Sequence, residues 1–336
     1  HELGQNPYRF NWQTPILLSP HNQDILYLGA NKLMRSMNQG NDWEAISNDL
    51  TQGGKKGNVA YGTLTAISES PFQFGLIYTV SDDGLLQITK NGGGSWDTIS
   101  NTFPKDLWVS RVVASQHKKE RVYVTLNGYR WDDSTTYVYV SEDYGQTWKR
   151  ISANIPHSPV NVIREDAENE DLLYLGTDNG AYVSFNRGIT WEAFSEGLPN
   201  VAVHDIAVQA DAKDLILGTH GRSIYKANIA ALQTNAFDSP NPITLFKTKK
   251  VRFSQRWGNS RNKWSKTFEP STTFVFYANA SGKQIIKILS ENDSELNSIE
   301  IDADKGYNYT DYDLTLTKKG RKELLKENDK LEIDKA

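Results

Sequence analysis

One octet constrains this chain more than any other feature. It reads Ser/Thr-x-Asp/Asn-x-Gly-x-Ser/Thr-Trp and occurs four times, at residues 36–43, 89–96, 141–148 and 184–191. The first copy is Ser36-Met37-Asn38-Gln39-Gly40-Asn41-Asp42-Trp43, with Asp42 in place of the hydroxyl. The third is Ser141-Glu142-Asp143-Tyr144-Gly145-Gln146-Thr147-Trp148. The tryptophans Trp43, Trp96, Trp148 and Trp191 stand 53, 52 and 43 positions apart. Self-similarity at this period indicates a repeat architecture. The octet reads as a turn that locks itself. Asn38, Asn91, Asp143 and Asn186 can accept from nearby backbone N–H groups, the glycine supplies positive φ, and the Ser/Thr adds a local bond. The tryptophan then fills the space between neighbouring sheets.

Each octet is flanked by strand signals. A short run follows it, such as Glu44-Ala45-Ile46 or Lys149-Arg150-Ile151, and two runs precede it. In the fourth unit these are Leu172-Leu173-Tyr174-Leu175-Gly176 and Gly180-Ala181-Tyr182-Val183-Ser184, themselves preceded by Val160-Asn161-Val162-Ile163. Each unit therefore reads as four short antiparallel strands, A to D, with the octet at the C–D turn. Such units in series predict an all-β chain built of β-propeller blades. The 9 Trp, 16 Tyr, 12 Phe and 24 Gly agree with a β-rich, turn-rich protein.

The octet resembles the Asp-box of the bacterial neuraminidase (BNR) repeat. The wider phrases "YRFNWQTPILLSPHNQDILYLGANKLMRS", "PVNVIREDAENEDLLYLGTDNGAYVS" and "LILGTHGRSIYKANI" resemble the exported bacterial proteins described as sortilin-like or glycosyl-hydrolase-like, of the Bacteroidetes type. The resemblance spans about residues 7–235. It implies a propeller and an extracytoplasmic location, periplasmic, outer-surface or secreted. It implies no single reaction.

Five units can be counted, with A strands expected to begin near Thr14, Thr65, Arg111, Asn161 and His204. The fifth has strands A, B and C but no octet and no D strand. The ring is expected to be completed by sequence outside this chain, the upstream part of the same polypeptide; a self-closed five-bladed ring is the alternative. The start at His1 and the charged end from Lys326 to Ala336 agree with a C-terminal portion of something longer. The expected division is 1–226 blades, 227–250 a linker containing Asn235, Pro240, Asn241 and Pro242, and 251–336 a second module. That module's runs, Thr272 to Tyr277, Gln284 to Leu289, Leu296 to Ile301 and Lys305 to Leu314, resemble a partial immunoglobulin/fibronectin-like sandwich. Lys318 to Lys330 reads as a charged helix or a loop.

Composition removes several functions. With no Cys there is no disulfide framework, thiolate zinc site or Cys nucleophile. A net charge of −4 makes non-specific nucleic-acid or anionic-membrane binding a poor default. No apolar run approaches the roughly 18 residues of a membrane span. No metal or cofactor motif occurs.

In a four-stranded blade the A–B and C–D turns emerge on one face and the B–C turns on the other. The octets share the first face and read as turn devices, Asp143 included. In the sialidases that the box resembles, the active site lies on the opposite face. The B–C turns carry Asp82 and Asp83, then Tyr129, Arg130, Trp131, Asp132 and Asp133, then His220 and Arg222. Thr14, Thr65, Arg111, Asn161 and His204 fall in one expected register at the mouth of a channel. Arg111, His204, Tyr129, Arg130, Trp131, His220 and Arg222 are the candidate ligand-binding residues; each also has a structural reading. Asp82, Asp83, Asp132 and Asp133 are the candidate carboxylates of a glycosidase, which needs two such groups roughly 5–9.5 Å apart. Arg111, Arg164 and Arg222 are the arginines a sialidase-like site would use. The expected function is a non-catalytic binding or scaffold propeller, without cofactor, that recognises a protein, peptide or glycan. The alternatives are a xyloglucan-active or sialidase-like glycoside hydrolase and a subunit of an outer-surface assembly.

Overall fold

The computed structural model describes residues 7–57, 60–194, 197–234, 241–252 and 254–327. Asn235 and Pro240 of the expected linker, and residues 328–336 of the charged end, lie outside these. The chain divides into two compact units, His1–Ile229 and Ala230–Ala336.

The first unit holds five antiparallel sheets in chain order. The first blade is β1 (Ile16–Leu18), β2 (Leu26–Gly29), β3 (Leu33–Ser36) and β4 (Glu44–Ala45). The second is β5 (Leu64–Glu69), β6 (Ile77–Ser81), β7 (Leu86–Thr89) and β8 (Asp97–Thr98). The third is β9 (Trp108–Ala114), β10 (Val122–Asn127), β11 (Tyr137–Ser141) and β12 (Lys149–Arg150). The fourth is β13 (Val160–Glu165), β14 (Leu173–Thr177), β15 (Gly180–Ser184) and β16 (Glu192–Ala193). The fifth has only three strands, β17 (Val203–Gln209), β18 (Asp214–Thr219) and β19 (Ile224–Asn228). Each blade packs on the next, but among the described residues the fifth blade has no fourth strand and does not pack in that way on the first, so the ring is open.

The octets form the C–D turns. In each, the Ser/Thr hydroxyl accepts from the glycine N–H, as Ser141 Oγ does from Gly145 at 2.7 Å. The Asp/Asn carbonyl oxygen accepts from the N–H of the Ser/Thr position; for Asp143 and Thr147 the distance is 2.8 Å. The glycines also touch the preceding blade. A Cβ on Gly145 would overlap Ile99, and one on Gly188 would overlap Ile151. The tryptophans address the same residues: Trp96 Nε1 donates to the Ile46 carbonyl (3.2 Å), Trp148 to Ile99 (3.0 Å) and Trp191 to Ile151 (2.6 Å). The octet thus closes its own turn and, in blades two to four, docks on the blade before it.

A second device appears on alternate seams. Where blade one meets blade two, buried Glu69 accepts from Ser19 Oγ (2.6 Å), Tyr27 Oη (3.0 Å) and the Gly75 N–H (2.9 Å). Where blade three meets blade four, Glu165 accepts from Ser115 Oγ (2.8 Å), Tyr123 Oη (3.1 Å) and the Gln116 N–H (2.6 Å), with buried Arg121 at 3.5 Å. His21 and His117 place Nε2 2.9 and 2.7 Å from the carbonyls of Ser70 and Asp166. The seam between blades two and three lacks this brace. Ala114 holds the glutamate position, Tyr78 Oη has no partner, and an apolar cluster including Leu76, Val80, Phe103, Val109 and Val124 fills the interface.

The second unit has two sheets. One is β20 (Ile243–Leu245), β21 (Thr272–Ala278) and β24 (Gly306–Tyr312); the other is β22 (Gly282–Leu289) with β23 (Glu295–Ala303). Ile243, Phe276 and Ala278 of the first pack on Ile286, Ile301 and Ala303 of the second, as in a small sandwich. β20 lies in the stretch expected as linker. The charged stretch forms α1 (Lys318–Glu327), seated on β23 where Thr317 donates to the Leu296 carbonyl.

Candidate functional site

The B–C turns of the first unit carry cations, aromatics and carboxylates, and the hydrogen bonds sort them. Asp82 is fully buried; it accepts from the Thr63 N–H and hydroxyl, each at 2.9 Å. Asp83 is equally buried and accepts from Ser81 Oγ (2.5 Å) and the Gln52 N–H (2.7 Å). Burial raises the pKa of both carboxyls against these bonds. Asp133 accepts from the Thr135 N–H and the Tyr137 hydroxyl, both at 2.9 Å. Its slight burial would raise its pKa, but those bonds hold it below the ordinary carboxylate value. These three carboxylates brace loops. Asp132 is exposed, with left-handed backbone at φ 58°.

The expected register of Thr14, Thr65, Arg111, Asn161 and His204 needs correction by one residue in blade three. The A–B pairings of blades two, four and five skip a residue, and the bulge leaves Thr65, Asn161 and His204 unpaired. In blade three the skipped residue is Ser110, because Arg111 pairs with Thr125. The bulge hydroxyls are latches: Thr65 Oγ1 donates to the Val109 carbonyl (2.6 Å) and Ser110 Oγ to the Val160 carbonyl (2.7 Å), each in the next blade. Asn161 joins Asn127 (2.8 Å) to Asp178 (2.9 Å).

Arg111 instead shares a register with Asp205 of blade five, and the two form an ion pair at 3.0 Å. Arg164 lies 3.6 Å from the same carboxylate and donates through Nε to the Ile206 carbonyl at 2.7 Å. Two guanidiniums thus share one carboxylate. Arg111 Nε is buried without a partner, and burial pulls its pKa down against the opposing effect of Asp205. His204 and His220 lie with ring centroids 5.1 Å apart. Burial, then His220, lowers the His204 pKa. Arg222 is exposed and makes no hydrogen bond or ion pair among the described residues.

The blade-three loop is held by local contacts. Tyr129–Trp131 form one 3-10 turn, whose Tyr129 N–H donates to Asn127 Oδ1 at 2.9 Å. Arg130 stacks on the Trp108 ring at 4.1 Å. Tyr129 and Trp131 are left 73% and 42% exposed. Sequence reasoning missed Asp205, Asp178 and Trp108. Asp205 had a signal, because it replaces the apolar residue seen as Ala66 and Val162, but only a register that allows for the bulge reveals it.

Comparison with known proteins bears on the fold. Residues 136–301 match the family model for sortilin, neurotensin receptor 3. No curated protein matches the chain in sequence. Among solved structures, an ancestral GH74 enzyme is similar with a TM-score of 0.52 at 14% identity, over 88% of this chain and 39% of that one. The GH74 xyloglucanase from Xanthomonas campestris is similar with a TM-score of 0.52 at 12% identity, over 90% of this chain and 47% of that one. The fold is a β-propeller. YCF48 bound to D1 peptide is also similar, with a TM-score of 0.44 at 15% identity over 67% of this chain and 70% of that one. The propeller chain spans less than half the length of either GH74 structure, and at these identities the likeness concerns the fold alone.

Proposed function

We propose that this chain is a binding module of an exported propeller protein, which recognises a peptide, protein or glycan through its B–C turns. The observation that carries the reading is the Tyr129–Trp131 turn. Its two aromatic rings are presented to solvent on a turn fixed by Asn127, while Asp82, Asp83 and Asp133 are spent on holding loops. Exposed aromatics on a turn so held offer apolar area at little entropic cost. His220 and the unpaired Arg222 add donors suited to a carboxylate or sugar hydroxyl. The open arc supports further blades outside these residues, and a place in an outer-surface assembly would use the same face.

The test is a binding screen of peptides and glycans with the whole chain. Trp131→Ala and Arg222→Ala are expected to weaken a hit about tenfold or more, as a lost hot-spot residue does, while Lys149→Ala on the octet face leaves it unchanged. Binding lost only by octet-face changes would overturn the assignment. The second reading is a glycoside hydrolase, as the neighbours' GH74 names suggest, and exposed Asp132 is the carboxylate free to serve it. Xyloglucan hydrolysis that disappears in Asp132→Asn would establish that reading in place of the first.

A further inference from the structure

The second unit carries a feature that the charge of the whole chain hides. Between residues 247 and 268 there are eight Lys or Arg and no Asp or Glu, in a chain whose net charge is −4. All eight are exposed, and among the described residues none makes an ion pair. The centre of the segment is a closed loop. The Gly258 N–H donates to the Phe268 carbonyl and the Phe268 N–H to the Asn259 carbonyl, each at 2.9 Å. At its tip, Asn262 Oδ1 accepts from the Trp264 N–H at 2.9 Å and Ser265 Oγ accepts from the Asn262 N–H at 2.9 Å. These bonds fix the tip backbone and push Trp264 outward, where it is 94% exposed. Phe268 at the base is 51% exposed. Arg261, Lys263 and Lys266 stand within three residues of Trp264.

We propose that this loop docks the protein on an anionic lipid surface, with Trp264 entering the headgroup layer and the surrounding cations pairing with lipid phosphates. Three features favour a bilayer over the other polyanions. An aromatic at the tip of a protruding turn reaches into an interface, whereas a nucleic-acid track needs platforms set along a groove. Trp264 makes no ring contact with another side chain among the described residues. A stacking platform has to be held flat, but a membrane interface asks only for depth. The cations flank the tip on both sides, the nearest carboxylate in sequence being Glu269 beyond Phe268, and polybasic segments of this kind add their attraction residue by residue.

The experiment uses the whole chain and sedimentation with phosphatidylcholine vesicles, with and without phosphatidylglycerol. Binding is expected only with phosphatidylglycerol and should fall as salt rises. Each of Arg261→Gln, Lys263→Gln and Lys266→Gln should lower partition about fivefold. Lipids brominated in the acyl chains should quench tryptophan fluorescence in the native protein and less in Trp264→Tyr. The variants lie on an exposed tip, so an unchanged melting curve shows that the fold is kept. No binding to phosphatidylglycerol vesicles at low salt would overturn the proposal. So would equal binding by the triple variant, or tighter binding to single-stranded DNA or polygalacturonate, lost in the same variants.

Discussion

Blades one and four have nearly the same pattern but different surroundings. Ile16, Leu26, Leu28 and Trp43 of the first hold the positions of Ile163, Leu173, Leu175 and Trp191 in the fourth. Ile163 is fully buried and Trp191 is 4% exposed, against 67% for Ile16 and 38% for Trp43. Trp191 donates to the carbonyl of the blade before it, while Trp43 turns back to the carbonyl of its own Gly40 at 2.8 Å. The octet is therefore complete as a turn in both places and complete as an interface in only one. Its hydrogen bonds are local property; its apolar value depends on a neighbour.

That contrast breaks most readily at the buried end. Trp191→Ala and Ile163→Ala should destabilise the first unit by about 3–5 and 2–5 kcal/mol in urea titrations, the range for emptied core sites. If either cost no more than its blade-one counterpart, the neighbour would not be what gives the octet its worth. The braced and unbraced seams make a smaller contrast. Tyr123→Phe should cost about 1–2 kcal/mol, because Glu165 loses a donor in a buried site. Tyr78→Phe should be neutral or slightly stabilising, because that hydroxyl is buried without a partner.

The next prediction concerns acid. Burial acts to raise the Asp143 carboxyl, but the octet bonds together hold it below its ordinary value of 3.8. A depressed carboxylate contributes stability above its unfolded value, and that contribution is lost as pH falls through the folded one. Asp143→Asn, which restores the residue of the other three octets, should flatten the fall in melting temperature below about pH 4. An unchanged acid limb would show that Asp143 contributes nothing as an anion. The smallest effects belong to the open face of blade one. Ile16→Ala and Trp43→Ala should change stability by about 0.5 kcal/mol or less, as exposed sites do. In a longer protein carrying a preceding blade, the same substitutions should approach the cost at Ile163 and Trp191.

The blades were legible because their cause is local. An octet fixes its turn with its own side chains, so Asn38, Asn91, Asp143 and Asn186 announce it wherever it occurs. The missing fourth strand of blade five was legible for the same reason, through the absent octet. The site was less so. A β-bulge moves Arg111 one residue out of the register that sequence spacing assigns, and so conceals its partner Asp205. The roles of Asp82 and Asp83 depend on Thr63 and Gln52, which belong to the connection before them and carry no pattern. Net charge conceals a local excess for a different reason: it averages the cations of 247–268 with acids elsewhere in the chain.

The alternating seams have a consequence for assembly. A chain of near-identical blades must avoid stacking them in the wrong order, a failure to which repeat proteins are prone. Here the faces are labelled. Ala114 docked on the face that carries Ser19 and Tyr27 would strand two hydroxyls that a glutamate satisfies, whereas blade two already holds the unpartnered Tyr78 hydroxyl. That mismatch incurs a desolvation penalty that the correct pairing avoids. The glutamate brace thus acts as a partial address, favouring blade two over blade three as the neighbour of blade one.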